Sequence, residues 1–125
     1  MEHIYKRRVQ FADTDAAGVV HFSRILCYVE EAEHDLLGAL SIPVMGNGGW
    51  PRVHVDCDYR APVRLGHSVD IMISPLRIGH SSIQWSFSMT IEGQCVAEGE
   101  MKTVRVDQAG NPVELNGAWR ASLTG

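Results

Sequence analysis

The chain has 125 residues and a formal net charge of −4, from 11 Lys and Arg against 15 Asp and Glu. Its length suits a single domain with a real core, and 45% hydrophobic with 21% charged residues excludes a disordered chain. The mildly acidic balance gives no support to nucleic-acid or membrane-surface binding, so we expect neither kind of partner.

The first half of the chain predicts a short strand, a turn and one long helix. Residues 4–11 are weakly strand-like, and residues 13–18 combine two acids with a glycine, which is typical of a turn. From Phe22 onward, apolar residues recur at steps of three and four, which predicts an amphipathic helix ending at Gly38. The acidic residues of this segment, Glu33 included, are expected on its solvent-facing sides.

The second half alternates apolar and polar residues with a period of two. This pattern predicts four strands, at residues 52–60, 69–73, 83–91 and 95–106. We expect these strands to follow one another as a meander, with Trp85 and Phe87 in the core. Residues 108–125 are expected to be an irregular tail of a single domain spanning residues 1–125. One helix against an antiparallel sheet is an α+β architecture.

The cysteines and the N-terminal residues indicate the cellular compartment in which we expect the protein. Cys27, Cys57 and Cys95 are widely spaced, odd in number and form no CxxC pair. They favour a reducing compartment and exclude a zinc knuckle. The first residues lack the apolar stretch of a signal peptide, and no apolar run approaches the roughly 20 residues that span a bilayer. We therefore expect a cytoplasmic protein.

Three other candidate motifs fail on inspection. Residues 66–70 resemble the start of a nucleophile elbow but lack its closing glycine. Residues 31–34 lack the HExxH spacing of a zinc site, and the glycine cluster at 46–49 lacks the Lys-Ser/Thr of a phosphate loop. We expect no metal site.

The segment that carries chemistry lies just before the long helix. Asp15 stands in the turn, close to the helix N-terminus, where free backbone N–H groups carry the positive end of the helix dipole. Such groups stabilise a carbonyl oxygen that gains negative charge, and Gly18 permits close backbone approach. A carboxylate beside them could attack the carbonyl or activate water. On these residues alone, an equally good interpretation is that Asp13 and Asp15 cap the helix or the turn.

Residues 13–20, with the sequence DTDAAGVV, resemble the signature of the 4-hydroxybenzoyl-CoA thioesterase family of hotdog-fold enzymes. The resemblance extends to Glu30, to YRAPVRLG at 59–66 and to AEGE at 97–100. It implies a hotdog fold, in which a five-stranded antiparallel sheet wraps around one long helix. It also implies hydrolysis of an acyl-CoA thioester without a metal or organic cofactor, by a homodimer or homotetramer whose sites form between protomers.

The resemblance assigns roles at the site. Asp15 matches the catalytic acid, as nucleophile or general base, beside Gly18. The amide of Phe22 matches the group that polarises the thioester carbonyl, and Val20 and His21 would line the same approach.

Further residues receive supporting roles from the same resemblance. Asp13 would hold the turn, and Glu30 would support the site from the helix. Arg60 and Arg64 lie near a segment that borders CoA in relatives and would pair with its phosphates. Exposed solubilising charge is an equally good interpretation of both arginines. We also consider contact of Tyr28 with the acyl group.

The sequence leaves the roles of three histidines open. His21 replaces an aromatic residue of the family, either as a polar substitute at the pocket edge or as a group that assists proton transfer or binds an acyl hydroxyl. His67 replaces an acid and is expected to change a turn. His54 is expected to be a surface histidine.

The predicted function is hydrolysis of a small acyl-CoA, with aromatic acyl groups included. One alternative is a 1,4-dihydroxy-2-naphthoyl-CoA thioesterase of quinone synthesis, which residues 50–54 somewhat resemble. Another is a non-catalytic acyl-CoA-binding module, against which the intact Asp15 and Gly18 argue. A hotdog dehydratase is a weaker alternative, because those enzymes present a catalytic histidine in a different motif.

Overall fold

The computed structural model describes residues 1–125 and contains one five-stranded sheet and two α-helices. The elements in chain order are β1 His3–Arg8, a 3-10 turn Phe11–Asp13, α1 Phe22–Ala39, β2 Arg52–Tyr59, β3 Ser68–Ile78, β4 Ser82–Ile91, β5 Gln94–Val104 and α2 Gly117–Thr124. Every strand pair is antiparallel. The predicted α+β architecture is confirmed.

The strand order is β1-β3-β4-β5-β2, so the predicted four-strand meander is wrong at β2. Only β3, β4 and β5 follow one another; β2 pairs with the far side of β5 and forms one edge of the sheet. A Cβ at Gly99 would overlap the carbonyl oxygen of Asp56, so glycine permits this close pairing. Alternation along a strand indicates which face is buried and carries no information about the partner strand.

Helix α1 packs one face against the sheet and spans 18 residues. Tyr28, Ala32 and Leu37 on the helix are fully buried, as is Trp85 on β4, and Phe87 is 3% exposed. The predicted core positions of the two β4 aromatics are confirmed. Burying each large side chain contributes roughly 1.5–3 kcal/mol.

Two details of α1 differ from the prediction. The helix passes through Gly38 and ends one residue later, with Leu40 as its C-cap and Ser41 at a positive φ of 58°. Glu33 is fully buried, whereas it was expected on a solvent-facing side. Its position, four residues after Val29 and four before Leu37, places it within the buried row.

The C-terminal segment is ordered, so the predicted irregular tail is wrong. Asn116 caps α2 by accepting a hydrogen bond from the Trp119 N–H at 2.8 Å. Leu115 and Leu123 are each 1% exposed and join the core, and Trp119 packs against Trp50 at 5.8 Å between ring centroids. Eight residues are too few for a helical period to be recognised in the sequence. Packing against the core stabilises this short helix.

None of the helices combines the length and apolar character required to cross a membrane. All three cysteines are free.

Candidate active site

Residues 14–20 form a small hairpin in front of α1. Thr14 and Val20 are bridged, the Asp15 N–H donates to the Val19 carbonyl at 2.9 Å, and the Gly18 N–H donates to the Asp15 carbonyl at 3.0 Å. Gly18 has a φ of +76°, which strains any residue with a Cβ. An added Cβ would meet no atom within 4 Å, so the backbone conformation, and not crowding, requires glycine here.

The Asp15 carboxylate is exposed and oriented by its own hairpin. Oδ1 accepts hydrogen bonds from the N–H groups of Ala17 at 2.9 Å and Val19 at 3.3 Å. Oδ2 has no hydrogen-bond partner in the chain. One oxygen therefore holds the carboxylate in place while the other is available to a substrate or a water molecule.

The start of α1 presents an unused backbone donor. His21 is the N-cap: its Nδ1 accepts a hydrogen bond from the Ser23 N–H at 3.3 Å and lies 2.8 Å from Ser23 Oγ. The Phe22 N–H donates to no acceptor within the chain. Tyr59 donates its hydroxyl to the Phe22 carbonyl at 3.2 Å. The capping role of His21 and the contact with Ser23 were missed, although the position just before a predicted helix is where caps occur.

The predicted site residues open into two separate cavities of the single chain. Val20 and Phe22 line an apolar cavity of about 360 Å³, whereas Asp15 and Gly18 line another of about 530 Å³. The two sets of lining residues share no member, and His21 belongs to neither. One chain therefore does not enclose the carboxylate and the helix amide in a common cavity.

Asp13 lies buried beneath this hairpin. Its carboxylate accepts hydrogen bonds from the Gln10 N–H at 2.9 Å, Arg24 Nη2 at 2.8 Å and the Tyr28 hydroxyl at 2.7 Å, and lies 3.3 Å from Arg7 Nη1. Burial alone would raise the pKa of Asp13, but these donors outweigh it and lower the pKa to about 2. The geometry agrees with a structural role for Asp13.

Tyr28 does not contact an acyl pocket. It is fully buried and gives its hydroxyl to Asp13. Burial and this hydrogen bond raise the pKa of Tyr28. The suggested acyl contact is therefore wrong.

Glu30 lines neither of these cavities and lies in a cleft between α1 and β2. Its Oε2 lies 2.7 Å from Arg52 Nη1, and both residues line the cleft. The other end of the Arg52 guanidinium donates to Oε1 of the buried Glu33 at 2.6 Å. Burial raises the pKa of Glu33 to about 7, although the charge of Arg52 acts in the opposite direction. The sequence did not identify Arg52 and Glu33 as part of a site. The alternation of apolar and polar residues along β2 does not show which side chain of α1 the first residue of the strand contacts.

The two arginines proposed to bind phosphate differ in their surroundings. Arg60 Nε lies 2.8 Å from Glu98, which raises the pKa of the guanidinium. The backbone of Arg64 pairs with Val19 of the hairpin, and the side chain of Arg64 is exposed and has no partner in the chain. His67 Nδ1 accepts a hydrogen bond from the Arg64 N–H at 3.0 Å, so His67 shapes this turn as expected.

His54 is exposed on β2, 3.4 Å from Asp56, as expected of a surface histidine. No group of three or more His, Cys, Asp and Glu side chains is arranged to hold a metal ion.

Comparison with known families matches residues 17–97 to the Thioesterase superfamily. The chain belongs to this superfamily. A 1,4-dihydroxy-2-naphthoyl-CoA hydrolase from a Synechococcus species is 35% identical over 111 residues, covering 81% of this chain and 74% of that protein. These relationships confirm the predicted reaction class, hydrolysis of a CoA thioester.

Solved structures of thioesterases share the fold. A 1,4-dihydroxy-2-naphthoyl-CoA thioesterase from Synechocystis superposes with a TM-score of 0.89 at 22% identity, covering 99% of this chain and 96% of that one. A gentisyl-coenzyme A thioesterase superposes with a TM-score of 0.89 at 27% identity, covering 96% and 98%. The predicted hotdog fold is confirmed.

Proposed function

We propose that this thioesterase hydrolyses a small aromatic acyl-CoA to the free acid and CoA, using Asp15 and the amide at the start of α1. The observation that carries the proposal is the segment 15–22. It presents a carboxylate oxygen without a partner on Asp15 and a backbone N–H without an acceptor on Phe22. The relatives named above act on 1,4-dihydroxy-2-naphthoyl-CoA and gentisyl-CoA, both aromatic acyl-CoA thioesters.

The Phe22 N–H would donate to the thioester carbonyl. As a nucleophile adds, the carbonyl oxygen gains negative charge, and this donor and the helix dipole stabilise that charge. In one route Asp15 Oδ2 attacks the carbonyl carbon, the carbon–sulfur bond breaks, and CoA leaves as a thiolate. Water then hydrolyses the resulting anhydride. In the other route Asp15 takes a proton from a water molecule that attacks directly.

Neither route needs a metal or organic cofactor, because the protein supplies the N–H donor to the carbonyl and a carboxylate that acts either as the nucleophile or as the base for the attacking water. We propose that Arg64 pairs with a CoA phosphate, since its guanidinium has no partner in the chain. Arg60 would join it by exchanging Glu98 for phosphate. Because the net charge is −4, binding of anionic CoA relies on such local groups. We propose the cytoplasm as the compartment, where the three free cysteines would stay reduced.

We propose that the complete site forms between subunits of a homodimer or a homotetramer. Two observations support this: Asp15 and Phe22 open into different cavities of one chain, and the edge strand β2 exposes apolar side chains. Val53 is 58% exposed and Val55 is 39% exposed. An unpaired edge with apolar side chains is suited to pairing with a second copy.

A panel of acyl-CoA esters with detection of the released thiol tests the reaction. Asp15→Asn should lower kcat by about 10²- to 10⁴-fold while the melting temperature and the affinity for the ester stay unchanged. Asp70→Asn is the matched control, because Asp70 forms an exposed ion pair with Lys6 on β1. Wild-type turnover by the Asp15 variant would refute the assignment, and binding without turnover by the wild type would favour the acyl-CoA-binding module.

The same panel of esters identifies the preferred substrate, and a separate isotope experiment distinguishes the two routes. A marked preference for 1,4-dihydroxy-2-naphthoyl-CoA would assign the chain to that alternative. A single turnover in ¹⁸O-labelled water, with mass spectrometry of the peptide that contains Asp15, separates the routes. Label in the Asp15 carboxylate would establish the anhydride route with water attacking the aspartyl carbonyl, whereas direct attack of water on the thioester places the label in the product acid alone.

The subunit arrangement is tested with charges placed on the two sheet edges. Val53→Glu on β2 should convert the oligomer to a monomer of 13.8 kDa in light scattering and abolish turnover. Ile4→Glu on β1 is the matched control, because Ile4 is 55% exposed and lies on the other edge. A monomeric wild type with full turnover would overturn the shared site.

A further inference from the structure

The exposed side chain of His21 lies next to the backbone amide that the proposed reaction uses. His21 directly precedes Phe22, whose N–H donates to no acceptor within the chain. Asp15 and Phe22 open into different cavities, and the segment 15–22 runs from one to the other. Apart from Asp15, His21 carries the one polar side chain of this segment. A thioester that contacts both Asp15 and the Phe22 amide therefore lies against the segment that holds His21.

The imidazole ring of His21 is held in one orientation. Nδ1 accepts a hydrogen bond from the Ser23 N–H at 3.3 Å and lies 2.8 Å from Ser23 Oγ. The ring packs against the ring of Phe22, with 4.5 Å between the centroids. The backbone is fixed as well, because the His21 N–H donates to the Asp13 carbonyl at 3.2 Å and the Arg24 N–H donates to the His21 carbonyl at 2.9 Å. The ring is therefore pre-organised before a substrate binds.

The cap decides which ring nitrogen of His21 carries the proton. A backbone N–H can only donate, so Nδ1 must keep its lone pair in order to accept from Ser23. In the neutral imidazole the proton then lies on Nε2, and the Ser23 hydroxyl can also donate to Nδ1. Nε2 has no hydrogen-bond partner in the chain. His21 therefore presents a neutral N–H donor that no protein group uses.

This free N–H faces away from the start of α1. Nδ1 and Nε2 lie on different sides of the ring, and Nδ1 faces the first turn of the helix. A thioester that accepts the Phe22 N–H has its carbonyl oxygen against the same turn, so its acyl group and its sulfur lie farther from the helix. Of these two, only the sulfur gains negative charge during hydrolysis. The sulfur is therefore the atom that a donor on Nε2 would stabilise.

We propose that His21 is a catalytic residue whose Nε2–H donates a hydrogen bond to the thioester sulfur as the carbon–sulfur bond breaks. The electron pair of that bond moves to the sulfur, and the hydrogen bond stabilises the thiolate. Nε2 keeps its proton, because a neutral imidazole that lost it would become an anion, and the CoA thiolate takes its proton from water. This proposal rests on the proposed function and gives the leaving group a donor of its own, beside the Phe22 amide that serves the carbonyl oxygen.

Two substitutions separate the donor from the cap. His21→Asn keeps a good helix N-cap, but its short side chain does not reach the position of Nε2. Its melting temperature should stay within about 1 °C of the wild type. Its kcat/KM for benzoyl-CoA should fall by about 10- to 100-fold, the range for one hydrogen bond to a charged group. His21→Gln places an amide near the position of Nε2 but caps poorly, so it should lower the melting temperature by about 3 to 5 °C and lose less turnover.

His80→Asn is the matched control for these variants. His80 is exposed, and its ring pairs with Glu114, far in sequence from the segment 15–22. This variant should keep the melting temperature and the turnover of the wild type.

A change of leaving group tests whether Nε2–H acts on the sulfur. Benzoyl esters of N-acetylcysteamine and of 4-nitrothiophenol share the acyl group and differ in the basicity of the thiol. The nitrophenyl thiolate is stable without a hydrogen bond, so His21→Asn should slow hydrolysis of that ester by less than about threefold. It should slow the N-acetylcysteamine ester by about 10- to 100-fold, as it does benzoyl-CoA. Asp15→Asn should slow both esters. Where benzoyl-CoA is not hydrolysed, the esters carry the acyl group that the panel prefers.

The outcomes separate this proposal from the proposed function. If His21→Asn slows both esters by the same factor, or slows neither, the role at the sulfur is overturned and the thioesterase proposal stands. Ser23→Ala leaves the backbone donor of the cap and should cost less turnover than His21→Asn. A loss as large as that of Asp15→Asn would instead identify Ser23 as a nucleophile with His21 as its base, and would overturn the proposal. A wild type that hydrolyses no acyl-CoA overturns both.

Discussion

Asp13 and Glu33 are both buried carboxylates that contact arginines, yet their environments push their proton affinities in opposite directions. Four groups donate to or pair with Asp13, and the pKa falls to about 2. One arginine donates to Glu33, one of its oxygens is left without a partner, and the pKa rises to about 7. Burial acts in the same direction at both sites, so the number of donors decides which charge state is favoured.

The two positions in the chain explain the difference in donors. Asp13 ends a 3-10 turn, where the nearby Gln10 N–H is free to donate and α1 and β1 converge with further donors. Glu33 lies in the middle of α1, where the backbone N–H groups already bond carbonyls of the preceding turn. Its one hydrogen bond comes from a side chain of another element, Arg52 of β2.

Removal of the Asp13 charge should have the largest effect on stability. Asp13→Asn leaves Arg7 and Arg24 facing a neutral amide in a buried site, and we expect the free energy of unfolding to fall by about 4 kcal/mol. Urea unfolding at pH 7 measures it. The stabilisation by Asp13 is present above the unfolded-state pKa and is lost as pH falls through about 2, so the difference from wild type should shrink between pH 4 and pH 2.

A graded variant checks the role of the donors at Asp13. Tyr28→Phe removes one of four groups and should cost only about 1 kcal/mol. A loss as large as that of Asp13→Asn would mean that the packing of Tyr28, and not the charge of Asp13, holds this region.

Glu33 should show the opposite dependence on pH, with a smaller effect. Its folded-state pKa of about 7 lies above the unfolded value of 4.5, so the folded state binds more protons in between. Stability should therefore fall as pH rises from 5 to 8, by at most about 3 kcal/mol relative to Glu33→Gln. Urea unfolding of both proteins at several pH values measures this slope.

The comparison at Glu33 needs the neighbouring charges to be constant. Glu30, His34 and Arg52 face the carboxylate and are identical in both proteins, so the difference curve isolates Glu33. Parallel curves for wild type and Glu33→Gln would show that Glu33 is ionised in the folded protein throughout this range.

Asp13 and Glu33 hold different parts of the candidate site in place. Asp13 ties β1 to α1 through Arg7, Arg24 and Tyr28, next to the hairpin that carries Asp15. Glu33 lies beside the cleft between α1 and β2, and its one hydrogen bond holds Arg52 without using all of the donors of the guanidinium.

Much of the fold could be predicted because its periods are clear. The apolar row from Phe22 identified α1, and strict alternation identified β4 with Trp85 in the core. The position of β2 beside β5 could not be predicted, since it depends on close backbone approach at Gly99. Helix α2 was missed because eight residues stabilised by tertiary packing leave little periodic signal.

The residues of the candidate site also fall into those that the sequence could identify and those that it could not. The DTDAAGVV motif located Asp15, Gly18 and the helix start, because these features depend on neighbours in sequence. Glu33 and Arg52 were missed, since they meet across 19 residues of chain. An acidic residue four positions from Val29, inside an apolar row, was the one signal available.

By itself, the sequence determined the family, the long helix, the faces of the strands and the turn that carries Asp15. These follow from residue types at short spacing, which act through local sterics and hydrogen bonds. The tertiary structure alone decided the strand order, the ordered C-terminal helix and the donors that each buried carboxylate receives. Those depend on which distant segments pack together, and packing distances decide whether a buried acid such as Glu33 keeps its proton.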